Sequence, residues 1–358
     1  MKKVEQSESK SRFASLLLKW GKEKNDRQMP WKGEKDPYKI WLSEIILQQT
    51  RVEQGLSYYN AFIKTFPDVH KLAKAPDAKV FKLWEGLGYY TRCRNLLITA
   101  RFISKEKKGV FPDSYETIKE LKGIGPYTAA AISSFAFNLP HAVVDGNVFR
   151  VLARVFGIAT PTDTTEGKKM FTALAEELLD KKQPGLYNQA IMDFGATVCK
   201  PAAPLCSDCV FKKHCIAFNK DLIAALPVKE KKITIKQRWL YYIVTECKNE
   251  VAIVQRTEKD IWKDLYEFPL IEVTKEMSEK NIIKQLSLNE WLVRTDYTIE
   301  NISPLFKQQL SHQSISGKFI TIKLKRKTKL NSDWQWVTKG KLKSFAFPQF
   351  INQYLKTK

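Results

Sequence analysis

Glu44 and Asp145 are the two residues whose settings divide the labour that cleavage of a glycosidic bond demands. Glu44 lies within Asp36-Pro37-Tyr38-Lys39-Ile40-Trp41-Leu42-Ser43-Glu44-Ile45-Ile46-Leu47, a helix that Asp36 can cap with Pro37 at its first position. Ile40, Trp41 and Leu47 stand three or four positions away and share its face. The carboxyl is therefore expected in an apolar setting, where desolvation lifts its pKa toward that of a general acid. A buried glutamate paired with Arg or Lys is the alternative. Asp145 precedes the apolar pattern Val148, Val151, Leu152, Val155, Phe156. It can serve simply as a helix N-cap, but a helix N-terminus also stabilises an ionised carboxylate. One protonated carboxyl and one charged carboxylate would activate a leaving group and face an oxocarbenium-like sugar.

Two further constellations accompany them. In Leu121-Lys122-Gly123-Ile124-Gly125-Pro126-Tyr127, Gly123 and Gly125 give backbone freedom between two apolar-periodic segments. Successive N–H groups and the start of the next helix can then converge on an anion such as a DNA phosphate. An ordinary helical corner with glycine at a helix end fits the same pattern. Cys199, Cys206, Cys209 and Cys215 form C-x6-C-x2-C-x5-C, four thiols in one short loop that suit zinc or a [4Fe-4S] cluster. Cys93 and Cys247 read as free thiols or small core residues.

These residues need a scaffold, and the chain suggests two parts. Segments around 11–24, 38–49, 51–64, 77–84, 91–107, 127–136, 146–156, 166–180 and 185–197 carry apolar residues at helical spacing. Pro227 and the run Lys229-Glu230-Lys231-Lys232 then interrupt the pattern. Beyond them Trp239 to Val244, Val251 to Val254, Phe319 to Leu324 and Trp334 to Val337 read as strands, with helices near 275–286 and 347–356. The expected organisation is an all-helical domain over 1–226, a linker over 227–237 and an α/β domain over 238–358. Among 358 residues, 60 Lys and Arg against 38 Asp and Glu give a net charge of +22, which points to a polyanionic partner. Apolar runs such as Leu16-Leu17-Leu18 are far too short to span a bilayer, so a membrane partner is not expected and a cytoplasmic or nucleoid location is.

The joint, ordered occurrence of Met29-Pro30-Trp31, Ser43 to Thr50, Trp84-Glu85-Gly86-Leu87-Gly88-Tyr89-Tyr90, Leu121 to Tyr127, Val144 to Val148 and the four-cysteine loop resembles the MutY-type adenine DNA glycosylases of the helix-hairpin-helix superfamily. The resemblance covers nearly the whole chain. It implies a helix-hairpin-helix domain with a [4Fe-4S] cluster on the four cysteines, followed by a Nudix-like domain. It also implies excision of adenine opposite 8-oxoguanine or guanine in duplex DNA by a monomeric enzyme. Glu44 would protonate the adenine, and Asp145 would stabilise or transiently bond the sugar cation, assisted by Tyr127 and Asn147. Arg27, Trp31, Leu47 and Gln189 would surround the flipped adenine. Gln49 and Tyr89 would wedge into the stack, while Thr50 and Leu87 would contact the orphaned 8-oxoguanine.

Trp262 to Pro269 supports the Nudix-like resemblance, whereas the R-E-x-x-E-E pattern of Nudix hydrolases is absent. The damage-reading aromatic-Ser-His triplet of the family stands here as Leu310-Ser311-His312, which retains Ser311 and His312 but replaces the aromatic. An endonuclease III-like glycosylase/lyase would carry a lysine where Tyr127 stands, and a phenol cannot form the required Schiff base. A non-catalytic iron-sulfur DNA-binding protein would not need Glu44 and Asp145. Gln285-Leu286-Ser287-Leu288 faintly resembles a sliding-clamp motif, although a structural helix or turn suits it better.

Overall fold

The computed structural model describes residues 2–231, 234–288, 292, 295–328 and 334–358. Its N-terminal two thirds is helical: α1 (Lys2–Glu23), α2 (Pro37–Leu47), α3 (Val52–Thr65), α4 (Val69–Ala73), α5 (Asp77–Trp84), α6 (Thr91–Glu106), α7 (Tyr115–Lys119), α8 (Pro126–Phe137), α9 (Gly146–Phe156), α10 (Thr165–Leu178), α11 (Pro184–Thr197) and α12 (Ile216–Asn219). No described helix is long and apolar enough to cross a membrane. The backbone groups into two compact units, one of residues 1–74 and 95–231, the other of 75–94 and 232–358.

In the first unit the local signals act where the sequence places them. Asp36 accepts the Tyr38 N–H at 2.9 Å and Pro37 opens α2. The apolar positions of α9, Val148, Val151, Leu152 and Val155, are buried in a core with Phe13, Trp20, Phe171 and Phe194. Burying such side chains contributes roughly 1.5–3 kcal/mol each, which fixes the face that α9 turns inward. The helix ends at Gly157, in left-handed conformation with φ 63°, where a Cβ would stand 2.4 Å from Ile216 Cγ2. A side chain there would meet both backbone strain and a packed isoleucine.

In the second unit a mixed sheet comprises β1 (Lys236–Cys247), β2 (Glu250–Gln255), β3 (Tyr266–Glu267), β4 (Leu270–Val273), β5 (Tyr297–Ile302), β6 (Phe306–Gln309), β7 (Gln313–Leu324) and β8 (Trp334–Thr338). At its centre β1 runs parallel to β7. The antiparallel partners of β1 are β2 and β4, those of β7 are β5 and β6, and β3 and β8 pair with β2. Helices α13 (Glu279–Ser287) and α14 (Gln349–Leu355) complete the unit. The sequence shows α5 as a helix but not that it belongs here. Lys82 Nζ donates to the Phe345 carbonyl at 3.0 Å and the Phe347 N–H donates to Glu85 Oε1 at 2.7 Å. These bonds join segments far apart in the chain, which no local periodicity records.

Candidate active site

Glu44 is buried on α2 with Ile40 and Trp41, only 7% exposed. Burial raises its pKa from the ordinary 4.5 to about 7; the neighbouring Asp145 charge adds to the rise and a hydrogen bond from the Tyr127 hydroxyl opposes it. No Lys or Arg contributes to this shift among the described residues, so the ion-paired alternative is not what the fold builds. Tyr127 stands in the first turn of α8, immediately after the hairpin. Its phenol is pushed well above its ordinary value by burial and by the two carboxyls, which keeps it a proton donor to Glu44.

Asp145 caps α9. Its Oδ1 accepts the Asn147 and Val148 N–H groups, each at 2.8 Å, and its Oδ2 accepts Asn147 Nδ2 at 2.8 Å. The expectation that the helix N-terminus holds this carboxylate charged omits a stronger opposing influence. Burial is the largest influence and moves the pKa upward, against the three hydrogen bonds and the Arg150 charge. The two carboxyls nevertheless differ in kind. Glu44 is met by a hydroxyl, which can serve either protonation state, whereas Asp145 is met by N–H donors, which favour its anion.

Asn147 links this carboxylate to the cysteine loop through a residue that sequence reasoning passed over. Asn147 Oδ1 accepts Arg150 Nη2 at 2.7 Å, and Arg150 Nε donates to the Cys199 carbonyl at 2.7 Å. One turn on, Arg154 donates to the Lys200, Pro201 and Leu226 carbonyls and approaches Cys199 Sγ at 3.6 Å. The available signal was two arginines four apart inside the most apolar-periodic helix, a position where a cation persists only with partners. Gly195 allows α11 to approach, because a Cβ there would lie 2.6 Å from Asn147 Cβ.

The four cysteines of the loop form no disulfide and influence one another electrostatically. Among the described residues no three metal-ligating side chains converge on a single ion. Burial raises the Cys199, Cys209 and Cys215 thiols, that of Cys209 to about 12, while donors aimed at the sulfurs oppose it: Arg154 reaches Cys199, the Phe211 N–H bonds Cys209, and the Ala217 and Phe218 N–H groups bond Cys215.

Of the other expected site residues in this unit, Trp31 is buried edge-on against Tyr59 at 5.2 Å, and Leu47 and Gln189 are half-buried on α2 and α11. Arg27 pairs with Asp193 at 2.8 Å, a partner the sequence did not suggest. Gln49 is exposed with φ 55°, a left-handed backbone rare for a residue with a side chain, and the partly exposed Thr50 follows it.

The second unit holds the remaining site residues. Tyr89 also adopts a left-handed backbone, φ 49°, and its hydroxyl lies 2.8 Å from Ser311 Oγ, both side chains exposed. His312 is exposed and its carbonyl accepts the Lys236 N–H. Leu87, in contrast, is buried, 6% exposed. In the clamp-like segment Leu286 is fully buried and packs in a core with Tyr241, Ile243 and Ile320, whereas Leu288 is exposed.

In the hairpin, Gly123 has φ 82° and a Cβ there would stand 2.6 Å from Asn95 Cβ. Gly125, in contrast, is extended (φ −95°) in open space, so backbone freedom is not what it supplies; its missing side chain leaves the N-terminus of α8 uncovered. Gly123→Ala should therefore destabilise the fold by a backbone strain of roughly 1–2 kcal/mol, measured as a lower thermal midpoint. Gly125→Ala should cost clearly less, since nothing lies within 4 Å of its Cβ.

A helical hairpin that feeds a tyrosine to one of two coupled carboxyls defines a class. Residues 42–180 match the family of HhH-GPD superfamily base excision DNA repair proteins, and residues 240–357 match the NUDIX domain family. A thermostable thymine-DNA glycosylase structure shares the fold at 29% identity and TM-score 0.56, over 60% of this chain and 99% of that one. The adenine DNA glycosylase of Buchnera aphidicola subsp. Baizongia pistaciae is 35% identical over 306 residues, 85% of this chain and 84% of its own. The human adenine DNA glycosylase is 41% identical over 214 residues, 57% of this chain and 39% of its own. The chain belongs to the adenine DNA glycosylase family and is an N-glycosylase of base excision repair.

Proposed function

We propose that the protein excises adenine mispaired with 8-oxoguanine or guanine from duplex DNA, without a lyase step. The observation that carries this reading is Glu44, a carboxyl raised to about 7, hydrogen-bonded to Tyr127 and coupled to Asp145. Adenine must leave the stack to reach a buried acid, and the left-handed, exposed Gln49 and Tyr89 are the residues suited to fill the gap. Glu44 then gives its proton to a purine ring nitrogen as the C1′–N9 bond breaks, and the bonding pair departs with the base. Asp145 faces the cationic sugar until water adds to C1′ and gives up a proton to the Glu44 carboxylate, which restores the acid. Arg27, Trp31, Leu47 and Gln189 surround the base, and Ser311 and His312 read the opposite strand.

Cys199, Cys206, Cys209 and Cys215 would hold a [4Fe-4S] cluster, for which the N–H groups aimed at their sulfurs are apt. Such a cluster supplies a redox-active, four-thiolate anchor that organises the basic loop bearing Lys200, Lys212 and Lys213 rather than base chemistry.

The test uses duplexes carrying A opposite 8-oxoguanine, G, C or T, developed with and without alkali. Abasic sites opposite 8-oxoguanine and G that break only after alkali, with no borohydride-trapped adduct, are expected because Tyr127 offers no amine. Efficient trapping, or equal release opposite C and T, contradicts the reading.

A further inference from the structure

Between α1 and α2 the chain runs from residue 25 to 36 without helix or strand. This irregular segment carries Arg27 and Trp31. Its first part is held from outside by one side chain. Asp193 of α11 is completely buried, and its carboxylate accepts Asn25 Nδ2 on Oδ2 and Arg27 Nη1 on Oδ1, both at 2.8 Å. Lys32 Nζ lies 3.6 Å from Oδ2 and donates to the Arg27 carbonyl at 2.8 Å. The Arg27 N–H is in turn fixed to Asn25 Oδ1 at 3.2 Å. Removing a carboxylate from water costs several kcal/mol unless it is fully partnered, so the segment must close on Asp193 in this one arrangement. Gln189 stands one turn earlier on the same face of α11.

Only Nη1 of Arg27 is committed to Asp193, and the side chain retains 26% exposure. The guanidinium fork carries five N–H donors in fixed geometry. Fixing one of them therefore aims the others. We infer that Asp193 is a positioning residue that sets the direction of Arg27 toward the acceptor nitrogens of the excised purine, so that α11 aligns base recognition with the carboxyl site. This rests on the function proposed above.

A double-mutant cycle separates positioning from general support of the fold. Single-turnover release from A opposite G is measured for wild type, Asp193→Asn, Arg27→Ala and the double variant, together with thermal midpoint and duplex affinity. Each single variant should lose about ten- to hundredfold in rate, the range for a hydrogen bond to a charged group, with duplex affinity within about threefold of wild type. The double variant should be no more than about threefold slower than Arg27→Ala. Losses that multiply, or an Asp193→Asn rate close to wild type, overturn the assignment. Should Asp193→Asn fail to fold, the cycle is run with Asp193→Glu, which keeps the charge but displaces the carboxylate, and multiplying losses overturn it in the same way. If wild type releases another base instead of adenine, the function reading fails, and the cycle on that base still decides the role of Asp193.

Discussion

Glu44→Gln is expected to lower single-turnover adenine release by about 10²–10⁴-fold, the span attributed to general acid catalysis, while leaving duplex affinity close to wild type. Gln keeps the shape and an oxygen to accept the Tyr127 hydroxyl but has no proton to give. The wild-type rate should fall on the acid side as Asp145, itself raised by burial, takes up a proton, and should fall about tenfold per unit above pH 7, because only the protonated Glu44 carboxyl acts and its pKa is raised to about 7. The variant should lack that descending limb. In the Glu44→Gln variant stability should rise although activity is lost. The folded-state pKa lies above the ordinary 4.5, so the fold binds this proton more tightly than the unfolded chain. The associated stability is fully present below about 4.5 and is lost as pH rises through 7. At pH 8 the wild type thus carries a penalty on the order of 3 kcal/mol, which Gln removes. Glu44→Gln should be inactive yet melt a few degrees higher than wild type at pH 8 by calorimetry, and little differently at pH 5. A rate within tenfold of wild type would remove Glu44 from the mechanism.

Asp145→Asn is expected to be at least as damaging, about 10³-fold, through a different physical effect. A fixed negative charge beside a forming cation in a water-poor site acts mainly on the transition state, and removing one such preorganised group costs about 10²–10³-fold in comparable settings. The asparagine can still accept the Asn147 and Val148 N–H groups that Oδ1 now accepts, so α9 keeps its cap. Its amide would, however, turn N–H against the Asn147 Nδ2 that now donates to Oδ2 at 2.8 Å. The prediction is a large fall in rate with a small change in melting temperature and in duplex affinity. A parallel loss of affinity would mean that Asp145 acts chiefly by holding the helix.

The sequence alone determined the local parts. Asp36 with Pro37, the 148, 151, 152, 155 repeat and the glycine turn specify α2, α9 and the hairpin because capping, periodicity and backbone freedom are properties of neighbouring residues. The apolar face of α2 likewise dictated that Glu44 would be desolvated, and the close spacing of the four cysteines brings them within electrostatic reach of one another. What tertiary structure decided is every relation across the chain. That Tyr127 donates to Glu44, that Glu44 feels Asp145, and that Asn147 and Arg150 lead to Cys199 depends on which helix faces which. The same holds for Asp193, an aspartate late in an apolar helix whose partners lie on a segment with no regular structure. It also holds for α5, whose pattern names a helix but not the core it joins. The upward shift at Asp145 has the same origin, since a helix terminus is legible locally whereas the burial that outweighs it is set by the packing of distant elements.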